Sequence, residues 1–134
     1  MLVFSPTLVR WLGKITTGTN EGKGAAFFPF LFVGDENYLR PWLINHERIH
    51  FRQQIETLIV GALIITFLER LYARLFLKMG KMERYLYAAS EQEAYLNMDN
   101  PRYLESRPAW RLFHYLKYKR KFRLTGPGQI EFQD

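Results

Sequence analysis

The chain has 134 residues, 48% of them hydrophobic and 16% aromatic, and a formal net charge of +6. That is enough apolar material for a single domain spanning residues 1–134, and it excludes a disordered chain. There is no cysteine, which rules out a disulfide framework and any Cys-ligated zinc site but leaves the compartment open.

The first fifteen residues, MLVFSPTLVRWLGKI, form no long apolar run, because Arg10 interrupts it and Pro6 breaks it. No secretory signal peptide is read there, and a cytoplasmic protein, with peripheral membrane association as the alternative, is expected. Residues 1–40 read as β-rich. Residues 17–24, TGTNEGKG, have the Gly, Asn and Thr content of a turn or exposed loop. Residues 25–33, AAFFPFLFV, read as a buried strand. Pro29 cannot donate to a ladder, so it marks an edge strand or a bulge. An edge strand could hold an extended peptide by strand addition; the alternative is an ordinary core strand. Residues 34–37, GDEN, end it.

A helix is expected from Pro41 into the fifties, since proline suits the first helical position. Arg40 is a poor N-cap, and the nearest residues of capping type are Asp35 and Asn37. Within residues 43–54, LINHERIHFRQQ, stand His46, Glu47 and His50 in the pattern H-E-x-x-H. Positions i and i+4 share a helix face with Cβ atoms about 5–6 Å apart, a gap that suits two imidazoles closing on one zinc ion at about 2.0–2.1 Å. Glu47, one step round the helix, can reach a water activated by the metal without being a ligand, so it reads as a general base. The alternative is a chance match on a charged helix face. Trp42, Leu43, Ile49 and Ile55 are placed to face a core.

Residues 57–68, TLIVGALIITFL, carry no charge, but a membrane span needs about 20 such residues. A buried core helix is the first reading, with Gly61 allowing close packing; an interfacial segment is the second. Residues 69–81, ERLYARLFLKMGK, space basic residues among Leu, Tyr and Phe, as in a helix resting on a membrane surface. Gly80 fits a helix C-terminus. Ser90-Glu91-Gln92-Glu93 has the S-x-x-E form of a capping box, which would start a helix running to about Met98, where Asp99, Asn100 and Pro101 stop it. A last helix is expected over residues 108–119, with Trp110, Phe113 and Leu116 or Lys117 at helical spacing. The tail after residues 126–128 reads as loose or as a short strand over 129–132. The basic cluster 117–123, KYKRKFR, is read as a solvated helix end, because no nucleic-acid fold motif accompanies it.

A catalytic zinc usually has three protein ligands. Glu56 lies six residues after His50, but Gln53 stands where a chain reversal would require Gly, so the helix carries Glu56 away from the histidine face. His114 lies in an aromatic helix, WRLFHYL, and fits a core position better. Glu91 and Glu93 remain, and two positions apart they cannot both face the metal. Glu91 shares an i, i+3, i+4, i+7 stripe with Ala94, Tyr95 and Met98, whereas Glu93 is placed to fold back on the Ser90 N–H. The stripe favours Glu91.

The sequence His46-Glu47-Arg48-Ile49-His50, followed by Glu91-Gln92-Glu93-Ala94-Tyr95, resembles the Glu-ligand zincin metallopeptidases (gluzincins). It is most similar to the CAAX-prenyl-protease and heat-shock-protease type, whose second motif is E-x-x-A-D. It also resembles small zincin-like proteins of bacteria that carry N-H-E-x-I-H-x-x-Q-Q and E-x-E-A-Y. The resemblance covers residues 39–98 and implies His46, His50 and Glu91 as zinc ligands and Glu47 as base; Tyr95 stands where the family has Asp. The expectation is therefore an α+β, mostly helical, minimal zincin-like domain with a small N-terminal β-sheet. It would be a zinc metallopeptidase acting on a peptide or protein substrate, with Tyr95 or His114 as oxyanion donors and Gln53 and Gln54 as hydrogen-bonding supports. The rival is a non-enzymatic, basic membrane-surface or interaction module whose metal site is incidental or structural.

Overall fold

The computed structural model describes residues 2–16, 24–35, 39–126 and 129–133. The fold is α+β and mostly helical. In chain order the elements are β1 (Leu2–Phe4), α1 (Pro6–Thr16), β2 (Gly24–Phe27), β3 (Phe30–Val33), α2 (Pro41–Glu56), α3 (Val60–Leu75), α4 (Lys81–Tyr87), α5 (Ala89–Asn97), α6 (Tyr103–Ser106), α7 (Arg111–Lys117), β4 (Lys121–Gly126) and β5 (Gln129–Gln133).

The N-terminal sheet has the order β1-β3-β2, with β1 parallel and β2 antiparallel to β3. Residues 25–33 are thus not one strand. A tight turn at Phe28-Pro29, whose peptide bond is cis, splits them into a hairpin, in which β2 lies at one edge of the sheet and β3 at its centre. Proline is tolerated there because a turn asks nothing of its missing N–H. Residues 1–40 also contain α1, which the β-rich reading lacks. Ser5-Pro6 is a helix start rather than a break: Pro6 takes the first helical position and the Ser5 carbonyl accepts from the Val9 N–H. The loop expected at residues 17–23, the strand end at 36–37 and the residues 127–128 lie outside the described residues.

Helix α2 starts at Pro41 with Arg40 as N-cap, whose side chain makes no cap hydrogen bond and whose carbonyl accepts from the Ile44 N–H. It buries Leu43 and Ile49, while Ile55 is exposed. It ends at Thr57, whose Oγ1 donates to the Gln53 carbonyl and accepts from the Ala62 N–H, joining α2 to α3. A Cβ at Gly61 would stand 2.9 Å from the Thr57 Cβ, so only glycine fits that approach. The expected buried helix at 57–68 is corrected twice. Leu58 and Ile59 break it with left-handed φ angles, and α3 turns its large apolar side chains outward.

Gly80 does not end α3. Lys78 takes the left-handed conformation there, and Gly80 is the N-cap of α4, its N–H bonded by Glu83. The capping box at Ser90 is also corrected. Helix α5 already begins at Ala89, with Ala88 as N-cap, and the Ser90 hydroxyl pairs with the Thr66 hydroxyl. Residues 89–94 are all buried, so α5 is the central helix. At the C-terminus, α7 is shorter than expected: Leu112 is its buried residue, packed with Ala62 and Ala89, while Trp110 and Phe113 are exposed. The basic cluster straddles the end of α7 and the start of β4, which pairs with β5 in a hairpin. Among the described residues no helix is long and apolar enough to cross a membrane.

Candidate metal centre

His46, His50 and Glu91 come together where α2 packs on α5. The two imidazole Nε2 atoms are 3.1 Å apart, and each lies 3.4 Å from Glu91 Oε2. Two ligands at about 2.0–2.1 Å from a tetrahedral metal stand about 3.3–3.4 Å apart. The three donor atoms therefore already form one triangular face of a tetrahedron of zinc size. Glu91 Oε2 is buried and has no hydrogen-bond partner, an orphan that a cation at that face would satisfy. Among the described residues this is the one group of three able to hold a metal ion.

The ring orientation of His50 is set from behind. Gln53 Nε2 donates to the Ser90 carbonyl (3.1 Å) and to Glu93 Oε2 (2.8 Å). Its Oε1 is therefore turned to His50 Nδ1, 2.9 Å away. An amide oxygen can only accept, so Nδ1 carries the proton and Nε2 of neutral His50 keeps its lone pair for the shared face. Gln53 thus plays the supporting part expected of it. Gln54 does something different: its Nε2 donates to the Ala26 carbonyl and its Oε1 accepts from the Phe28 N–H, which clamps the edge hairpin onto α2.

Glu93 is not a capping residue. It is fully buried and receives the Arg107 guanidinium and the Tyr103 hydroxyl (2.9 Å), with Arg107 also donating to Glu56 at 2.7 Å. Glu56, rejected as a ligand, is one anchor of this network, and Arg52 is its second cation. A continuous path Arg107–Glu93–Gln53–His50 therefore runs from α6's C-terminal flank to the site. Arg70 and Tyr85 lie beside Glu91: Arg70 Nη2 stands 3.6 Å from Oε1 with its guanidinium over the Tyr85 ring, and burial together with the Glu91 charge pushes the Tyr85 phenol up. Tyr95 packs edge-on to His46 at 4.8 Å between ring centroids and edge-on to Tyr85 at 6.2 Å. His114 does not join the site: it is exposed on α7 beside Tyr115 and Tyr118.

Glu47 is buried on the neighbouring face of α2. A Cβ at Gly24 would stand 3.1 Å from Glu47 Oε1, so any larger residue at the start of β2 presses on the carboxylate and must shift it by a few tenths of an ångström. Burial pushes the Glu47 carboxyl above the usual range, opposed by the charges of His46 and His50. For His50, burial pulls the imidazolium down, but the Glu91 and Glu47 charges outweigh it and raise the pKa to about 9. Burial alone would raise Glu91; the two histidines instead hold it well below the usual carboxylate range. Burial and then the Glu91 charge push Tyr95 up to about 12, so both site tyrosines keep their protons.

His46, Glu47, His50 and Glu91 are legible in sequence. Gly24, Arg70, Tyr85 and Arg107 are not, since each reaches the site across the fold. Comparison with protein-family models, with curated proteins and with solved structures finds no match for this chain, and the case for the site rests on its geometry.

Proposed function

We propose that this protein is a zinc metallopeptidase in which His46, His50 and Glu91 hold the ion and Glu47 is the general base. The observation that carries the reading is the triangle of donor atoms with an orphaned Glu91 oxygen at its edge. When bound, the ion supplies Lewis acidity toward a water and a peptide carbonyl. Two neutral imidazoles and one carboxylate make up the donor set, a combination that catalytic zinc sites of the two-histidine, one-glutamate kind use. Glu47 takes the proton from the attacking water and passes it to the leaving amine; its raised pKa brings it toward the pH at which such a base works best. Of the two oxyanion candidates, Tyr95, with its hydroxyl protonated, packs against His46, whereas His114 lies away from the site. The edge strand β2, held by Gln54 beside Glu47, offers an extended peptide a backbone to pair with.

The test is metal analysis with hydrolysis assays on a mixed peptide library. The parent should hold one equivalent of zinc, and His46→Ala and His50→Ala should lose it. Glu47→Gln should keep metal and fold but lose activity by about 10²–10⁴-fold, because the amide cannot accept a proton. Undiminished hydrolysis by Glu47→Gln would overturn the assignment of the base. Zinc bound normally by both histidine variants would overturn the site.

A further inference from the structure

Helix α3 is amphipathic in the reverse sense. Val60, Ile64, Phe67, Leu68, Leu71 and Leu75 fall within an arc of about 100° at 100° per residue. All six are exposed, from 38% at Leu71 to 64% at Phe67. Its buried residues, Ala62, Glu69 and Ala73, lie on the opposite side, two of them small and the third ion-paired to Lys119. A helix of a water-surrounded domain normally turns its large apolar arc to the core. Here the arc faces out along all 16 residues.

From this face we infer that α3 docks the protein in the interface of an anionic lipid bilayer. Three observations select that occupant. First, the exposed charge at the arc's edge is a cation, Arg74, and exposed Lys78 and Lys81 follow it in the chain; of the nearby acids, Glu69 of α3 is buried and Glu83 of α4 is turned to the Gly80 N–H. Negative headgroups complement these cations, and a second copy of this chain, also carrying +6, does not. Second, none of the six arc side chains can hydrogen-bond, whereas protein interfaces of standard size carry about one hydrogen bond per 100–200 Å². Acyl chains need none. Third, no helix among the described residues can cross a bilayer, so an apolar helix of this length is accommodated lying in the interface plane. Arg70, on the same helix, reaches Glu91 at 3.6 Å. The docked face therefore lies about one helix diameter, roughly 10 Å, from the metal-binding carboxylate. The inference does not depend on the chemistry proposed for that site.

The experiment is flotation of the full chain with vesicles of phosphatidylglycerol and phosphatidylcholine, against vesicles of phosphatidylcholine alone. The protein should float with the anionic vesicles and less with the neutral ones. Phe67→Asp and Leu71→Asp should each weaken that binding about tenfold or more, and Arg74→Glu should weaken it on anionic vesicles only. All three positions are exposed, so the variants should keep the parent's circular dichroism and melting temperature, which is measured alongside. Failure to bind anionic vesicles, or binding that Phe67→Asp leaves unchanged, overturns the inference. So does a dimer in sedimentation velocity that Phe67→Asp dissociates, which would make the face a contact between copies.

Discussion

Helices α2 and α3 are both 16 residues long and consecutive in the chain, yet each inverts what a helix of a water-surrounded domain does. Helix α2 buries polar groups: Asn45, His46, Glu47, Gln53 and Gln54 are all within the protein. Helix α3 exposes its apolar ones. The two inversions are tolerated for different reasons. Buried polar groups are costly unless bonded, and on α2 the amides are largely bonded: the Asn45 amide nitrogen donates to the carbonyls of Met98 and Asn100, and Gln53 and Gln54 use both ends of their amides. Asn45 Oδ1 has no hydrogen-bond partner, and in the cluster of His46, His50 and Glu91 the polar atoms face one another with Glu91 Oε2 also orphaned. On α3 the apolar arc has no polar atoms to satisfy, and its cost is apolar surface left in water. A fold holding an under-satisfied polar centre and an uncovered apolar face has two surfaces that ask for something else to bind.

The comparison is broken most severely by removing the anchor of the polar side. Glu93→Ala leaves the Arg107 guanidinium buried, with Glu56 as its remaining carboxylate, and removes one of the two acceptors of the Gln53 amide. A broken buried pair costs about 3–5 kcal/mol, and we expect a loss of that size in urea denaturation. Sequence reasoning that sees only a capping residue predicts about 1 kcal/mol. A measured loss near the smaller figure would mean that Arg107 finds other partners.

The polar centre should also be visible as a pH dependence of the metal-free protein. His50 is raised to about 9 in the fold from an ordinary value of 6.5. A group whose pKa is raised by folding binds its proton more tightly in the folded state. Its contribution is therefore complete below about 6.5 and is lost as pH rises through 9. Chelator-treated protein should lose up to about 3 kcal/mol between those values. Zinc must displace the same proton, so its affinity should rise over the same window with release of a proton, measurable by titration calorimetry in two buffers. Stability that is flat from pH 6.5 to 9 would show that His50 is not held as an imidazolium.

What is legible in the sequence follows from how far each contact reaches. The histidine pair is readable because i, i+4 spacing fixes a shared face within one helix. Glu91 is readable because the stripe through Ala94 and Tyr95 picks one side of α5. Arg107 and Tyr85 carry no such mark, because their roles arise only when α5 packs between other elements. Helix α1 escapes the sequence reading because Ser5-Pro6 looks like a break, although a capping-type residue followed by proline is also how helices begin. The direction of α3 is illegible for a deeper reason: periodicity shows that a helix has an apolar arc, and burial then decides which way it points.

A smaller effect is expected at the end of α3. Lys78 holds a φ of 53°, a region that costs an L-residue with a Cβ about 1–2 kcal/mol and glycine nothing. Lys78→Gly loses part of that gain to the greater freedom of the unfolded chain. It should still raise stability by roughly 0.5–1 kcal/mol, whereas Gly80, at a φ of −65°, should accept alanine without backbone strain. A destabilised Lys78→Gly would mean that its side chain, not its backbone, matters there.

The smallest effect is the one that separates the two helices most sharply. Ile49 on α2 is fully buried, and Ile49→Ala should cost about 2–5 kcal/mol through lost burial and an incompletely filled cavity. Phe67 on α3 is larger, and by hydrophobicity alone Phe67→Gln should cost as much. It is 64% exposed, however, and an exposed position away from caps and buried networks moves stability by no more than about 0.5 kcal/mol. Thermal melts of both variants, without vesicles, compare the two directly. If Phe67→Gln costs as much as Ile49→Ala, the arc of α3 is covered in solution, and its outward face is the surface of an assembly.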